Sequence, residues 1–201
     1  MLTEKQKQFL NKYVKGSWSE NDQGLIDVNG DVELSDKRYK IIPVTPESVG
    51  GNFDCSDNQL TSLKGAPKSI GGDFGCNHNQ LTSLEGVPKN ISGNFRCYSN
   101  QLTSLKGAPE SIGGSFWCSN NQLTSLEGSP KSIGGSFICY NNQLTSLKGA
   151  PKSISGNFWC SDNQLISLEG APKNVGGGFY CDDERKQDKE YVLWAIKKKF
   201  N

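Results

Sequence analysis

Apolar residues are sparse along this chain, yet they return in register. From Phe53 to Gly178 one order recurs six times. It runs Phe, a variable residue, Cys, a polar stretch ending in Asn-Gln, then Leu-Thr-Ser-Leu (Leu-Ile-Ser-Leu in the last copy), a Gly-x-Pro segment, Ile or Val, and Gly-Gly or Ser-Gly. Cys55, Cys76, Cys97, Cys118, Cys139, Cys160 and Cys181 lie 21 residues apart. A fixed period of this length predicts a solenoid, whose units stack on their neighbours and share one continuous core.

Each segment of the unit carries its own local signal. Phe and Cys alternate with variable residues, as a strand with one buried face requires. Asn58, Asn79, Asn100, Asn121, Asn142 and Asn163 mark the exit from the strand, where a side-chain amide can bond turn backbone that no ladder satisfies. A Pro in every copy, flanked by Gly, argues against an α-helix on the outer side and favours extended or 3₁₀ backbone. Gly-Gly predicts the tight turn into the next strand.

The flanks read differently. Thr3 to Val14 predicts a helix, with Thr3 and Gln6 as a capping box and Phe9, Leu10, Tyr13 and Val14 as its apolar stripe. Residues 16–23 read as a polar loop, anchored to the cap by Trp18. Asn29-Gly30 between two alternating runs predicts a β-hairpin turn. Val32 and Leu34 precede Phe53 and Cys55 by one period, so 32–52 reads as a degenerate capping unit. After Cys181, Asp182 or Asp183 caps a last helix over Glu184 to Phe200, whose Val192, Leu193, Ile196 and Phe200 would cover the end of the core. The expected organisation is 1–31 helix and hairpin cap, 32–52 capping repeat, 53–178 six repeats, and 179–201 a last partial repeat with its helix.

Charge narrows the partners. The net charge is +1, so no global field draws the chain to nucleic acid or anionic membrane. The N-terminal residues lack the apolar run of a signal peptide, and no stretch is long enough to span a bilayer. The cysteines share one inward slot and point the same way, which is poor disulfide geometry; reduced thiols and a cytoplasmic location are expected. Lys64, Glu85, Lys106, Glu127, Lys148 and Glu169 alternate in one slot. Opposite charges would become neighbours about 4.8 Å apart up the stack, and a one-unit slip would set like charges together.

The Phe-x-Cys-x-x-Asn-x-Leu-Thr-Ser-Leu unit resembles the leucine-rich repeat, with Phe and Cys in its second and third Leu slots. It is similar to short bacterial repeats that carry Pro in place of an outer helix, and to Cys-containing tandem repeats of phage and bacterial proteins that open with a segment like Asp27-Val28-Asn29-Gly30. The resemblance covers about residues 25–182. It implies a leucine-rich-repeat stack and recognition of another macromolecule. No ubiquitin-ligase domain like that of the effector enzymes is present, so that activity does not carry over.

Alternation also places a second set of side chains on the open, concave side of the stack. Between Phe and Cys stand Asp54, Gly75, Arg96, Trp117, Ile138, Trp159 and Tyr180; after Cys stand Ser56, Asn77, Tyr98, Ser119, Tyr140, Ser161 and Asp182. These columns vary while the rest of the unit hardly does. Arg96, Tyr98, Trp117, Ile138, Tyr140, Trp159 and Tyr180 are the candidate contacts, since exposed aromatics on one face mark interaction sites and Trp, Tyr and Arg are enriched at hot spots. Aromatics also suit strands for packing alone. The expectation is a non-enzymatic scaffold that takes a protein partner, without cofactor or metal; small-ligand binding on the same face is the alternative. By the resemblance, a phage-encoded protein that blocks a host defence factor is implied. Lys68, Lys89, Lys131, Lys152 and Lys173, interrupted by Glu110, read as a solvated outer stripe. His78 is the single His, and a metal cluster of His78 with Asp54 and Asp73 is the weakest of the readings.

Overall fold

The computed structural model describes residues 2–181. They form a parallel β-solenoid of about 7 turns, a leucine-rich-repeat-like stack with one N-terminal helix and a β-hairpin. Helix α1 (Glu4–Tyr13) begins at the capping box read from sequence: the Thr3 hydroxyl accepts from the Gln6 amide, and the Gln6 side chain accepts from the Thr3 amide. Its Leu10 enters the core, while Phe9 and Tyr13 pack at the edge beside Tyr39.

Strand β1 (Val14–Glu20) follows directly and pairs antiparallel with β2 (Ile26–Glu33). Here two expectations fail. Residues 16–23 are mostly strand rather than loop, and the hairpin turns at 21–25 rather than at Asn29-Gly30. Asn21 builds that turn: its side-chain oxygen accepts from the amides of Gln23 and Leu25, and its carbonyl accepts from Gly24. Trp18 does anchor the cap, but from β1, donating its indole N–H to Asn11 of α1 at 2.8 Å.

Asn29-Gly30 runs through the middle of β2 because it is the first copy of the Gly-Gly bend. Val28 pairs with Val49, and Val32 with Phe53, each one period ahead. The repeat register therefore reaches back to Asp27. In β2 the strand continues across the bend. In later units it divides into two short strands, so two parallel columns run up the molecule. One starts with β3 (Pro46–Val49) and continues through Ser69–Ile70 to Asn174–Val175; the other starts with β4 (Phe53–Asp54) and ends at Phe179–Tyr180. Backbone bonds bridge the bend as well, as in Gly72 N–H to the Gly51 carbonyl at 2.9 Å. A Cβ at Gly72 would lie 2.9 Å from the Gly51 backbone and 2.3 Å from the Asn52 side chain, which explains why this slot is Gly in every copy.

The core is a spine of Phe rings flanked by Cys and Leu. Phe53 to Phe158 are buried, with successive centroids 5.2–5.5 Å apart. Fully burying one such side chain is worth about 1.5–3 kcal/mol. The Asn ladder ties turn to turn. The Asn100 amide donates to the carbonyls of Cys76 at 3.0 Å, Cys97 at 3.1 Å and Tyr98 at 3.4 Å; its oxygen accepts from Leu81 N–H at 2.9 Å. The residue before each Asn is left-handed, from Asp57 (φ 54) and His78 (φ 52) to Asp162 (φ 53).

The outer side has no helix among the described residues: a turn at Leu63–Ala66, closed by Ala66 N–H to the Leu63 carbonyl, leads into Pro67. Part of the Lys stripe is paired along the stack, with Lys68 on Glu47 and Lys131 on Glu110, both at 2.9 Å. In the alternating column Lys148 meets Glu169 at 3.2 Å. Ile166 is 73% exposed. The helix expected over 184–200, and the contact expected between it and Ile166, lie outside the described residues. No helix among the described residues is long and apolar enough to cross a membrane.

Candidate functional site

The site is built by the column that starts with β4. Each strand sends Phe and Cys inward, so the residue between them faces out. Parallel register then sets Gly75, Arg96, Trp117, Ile138, Trp159 and Tyr180 side by side as neighbours. Rungs are about 4.8 Å apart, so all six positions lie along one line.

Arg96 is held at the head of this line. Its Nη2 lies 2.8 Å from Asp73 Oδ2, and its guanidinium carbon stands 5.1 Å from the Trp117 ring centroid. Asp73 immediately precedes the neighbouring strand Phe74–Gly75, so Arg96 reaches its carboxylate one strand back. Burial alone would raise the Asp73 pKa. Hydrogen bonds from the Asn94 backbone and side chain, then the Arg96 guanidinium, bring it below the ordinary carboxylate value. A cation above an indole adds about 0.5–2 kcal/mol of attraction, more when desolvated.

At the far end the Trp159 and Tyr180 rings stack, with centroids 3.8 Å apart and planes 17° from parallel. They are 36% and 43% exposed, and Tyr140 in the adjoining column is 36% exposed. Trp117 and Tyr98 are half-buried, Tyr98 meeting the His78 ring edge-on at 5.0 Å. Ile138 departs from expectation. It is only 7% exposed, flanked in the ladder by Trp117 and Trp159, so it forms floor beneath the indoles rather than contact surface. Ser56, Asn77 and Ser119 in the adjoining column are buried as well.

The residues proposed for metal are not gathered. Asp73 is committed to Arg96, while His78 Nδ1 lies 3.3 Å from Asp57, not Asp54. His78 occupies the left-handed turn slot, where His, Asn and Asp are enriched. No group of three or more His, Cys, Asp or Glu able to hold a metal occurs among the described residues. The thiols from Cys55 to Cys139 are fully buried, and burial pushes their pKa values up, away from nucleophilic thiolate.

Sequence reasoning missed one concavity. A groove of about 530 Å³ lies at the N-terminal end, lined by Trp18, Asp27, Asn29, Ser48 and Ser69 among others. Its carboxylate is engaged internally: Asp27 accepts from Ser48 and from Asn21. Extending the period back to Asp27 would have located its floor. Comparison with protein-family models, curated proteins and solved structures finds no match for this chain.

Proposed function

We propose that the chain is a non-enzymatic binding protein that takes a protein partner on the Arg96–Tyr180 face. One observation carries this reading. Trp159 and Tyr180 stay substantially exposed in slots where the repeat tolerates Asp or Gly, as Asp54 and Gly75 show. Core packing does not ask for aromatic rings there. Arg96 on its Asp73 support, Trp117, and the Trp159–Tyr180 pair make a surface already ordered before a partner arrives, which reduces the entropy lost on binding. Asp54, on the first strand of this column, and Asp57, in the turn after it, lie at the N-terminal end of the same stack. The face therefore fits a protein with an apolar patch and a basic patch beside it, and fits a phosphate backbone badly.

The resemblance to short leucine-rich repeats of phage and bacterial proteins extends the reading by analogy. On that analogy the chain is a phage-encoded protein that acts in the host cytoplasm, where it binds and blocks a defence factor. A second reading has its own support: the flat Trp159–Tyr180 stack also suits a saccharide or a base. The test is affinity capture from bacterial lysate with three baits: wild type, Trp117→Ala/Trp159→Ala, and Lys68→Ala/Lys152→Ala. A protein that wild type and the Lys variant retain and the Trp variant loses supports the proposal. Equal capture by all three overturns it. Quenching of Trp fluorescence by a saccharide or nucleotide panel, with no such protein captured, favours the second reading.

A further inference from the structure

The seven cysteines share one slot but not one environment. Six of them, Cys55 to Cys160, are sealed in the core. The last rung is different. Cys160 Sγ and Cys181 Sγ lie 2.7 Å apart, and Cys181 is half-buried rather than buried. Sulfur atoms that merely pack against one another stand well beyond that separation. Neighbouring rungs are also suitably placed for a bond, since their spacing of about 4.8 Å falls inside the Cα–Cα range of roughly 4.4–6.8 Å that disulfides use. Both thiols are free in the structure, as read from sequence, yet at this rung the two sulfurs approach closely despite sharing a direction.

We propose that Cys160 and Cys181 are a modification site at which a small disulfide oxidant, such as glutathione disulfide, installs an intramolecular bond. Cys181 is the entry point because it is the more accessible thiol. Its thiolate attacks one sulfur of the oxidant, forming a mixed disulfide and releasing one small thiolate. The Cys160 thiolate then attacks Cys181 Sγ, the protein S–S bond forms, and the second small thiolate leaves. Two protein thiols are oxidised, giving up two protons and two electrons; one small disulfide is reduced to two thiols. The bond joins the two strands whose outward residues are Trp159 and Tyr180. It would staple the rung that carries the stacked rings. The proposal stands whether or not that face binds a partner.

The full-length protein is incubated with glutathione disulfide under native conditions, alkylated, and digested with trypsin. Lys173 lies between the two cysteines, so cleavage there places them on separate peptides. The expected product is an intact mass lower by two hydrogens, a Cys160–Cys181 linked peptide, and five thiols that alkylate only after denaturation. In Cys160→Ser the glutathione adduct on Cys181 should persist, because its resolving partner is gone. A wild-type protein that gains no internal bond overturns the proposal. So does a stable glutathione adduct in wild type, or a bond from Cys181 to any other cysteine.

Discussion

Residue pairs across the stack carry much of what the repeat unit alone does not reveal. That Trp117, Trp159 and Tyr180 face outward was legible, since it follows from alternation with Phe and Cys. That Arg96 is clamped by Asp73 was not. The period sets Arg96 beside Gly75, and the direction its long side chain takes, back to Asp73 before the neighbouring strand, is not set by the repeat. The clamp should respond to pH in a defined direction. Asp73 titrates below its ordinary 3.8 in the folded protein, so its contribution is complete above the unfolded value and is lost as pH falls through the lower folded one. The Asp73 carboxyl carbon signal in NMR is expected to titrate with a midpoint below 3.8, with Arg96 Nε shifting in parallel; a midpoint above 3.8 contradicts the clamp. The Asn ladder gives a second prediction at this scale. Asn100→Ala removes four hydrogen bonds and leaves the buried Leu81 N–H unsatisfied. Each orphaned buried group costs about 1–3 kcal/mol, so urea denaturation should show a loss of about 3 kcal/mol. A loss below about 1 kcal/mol would mean the ladder is ornamental.

At the scale of elements, the helix start was read from its capping box and the Pro segments from their composition. The hairpin was misplaced because Asn-Gly, a strong turn signal in isolation, here occupies the bend slot of a repeat whose other copies hold Gly-Gly or Ser-Gly. Tertiary register overrode the local signal. Gly30 has φ 141, and a Cβ there would meet the Lys15 carbonyl at 2.1 Å; Gly24, in the true turn, has φ 75, and a Cβ there would meet only the Glu20 side chain at an ordinary 3.7 Å. Gly30→Ala should therefore cost more than Gly24→Ala. Strain at a positive φ costs about 1–3 kcal/mol in either variant, and the backbone collision adds to it only at Gly30. Hydrogen exchange should show β1 amides losing protection in Gly30→Ala and keeping most of it in Gly24→Ala. The reverse order would restore the turn to Asn29-Gly30.

At the scale of the molecule, the period of 21 residues made the stack, its buried face and its outer side legible before any coordinates. Sequence could not grade exposure within the open face. Ile138 and Trp159 occupy the same slot, and only their surroundings decide that one is buried and the other exposed. The same holds for the cysteines, identical in slot yet unequal in burial and in approach. What remains is whether the graded surface does what its composition implies. Titration calorimetry on a partner recovered by capture answers this most directly, with Trp159→Ala and Lys152→Ala compared against wild type. A hot-spot ring is worth about 2 kcal/mol or more, so Trp159→Ala is expected to weaken binding by roughly 30-fold, while Lys152→Ala changes it by less than about twofold. Full affinity in Trp159→Ala together with a large loss in Lys152→Ala would place the interface on the outer side and contradict the account.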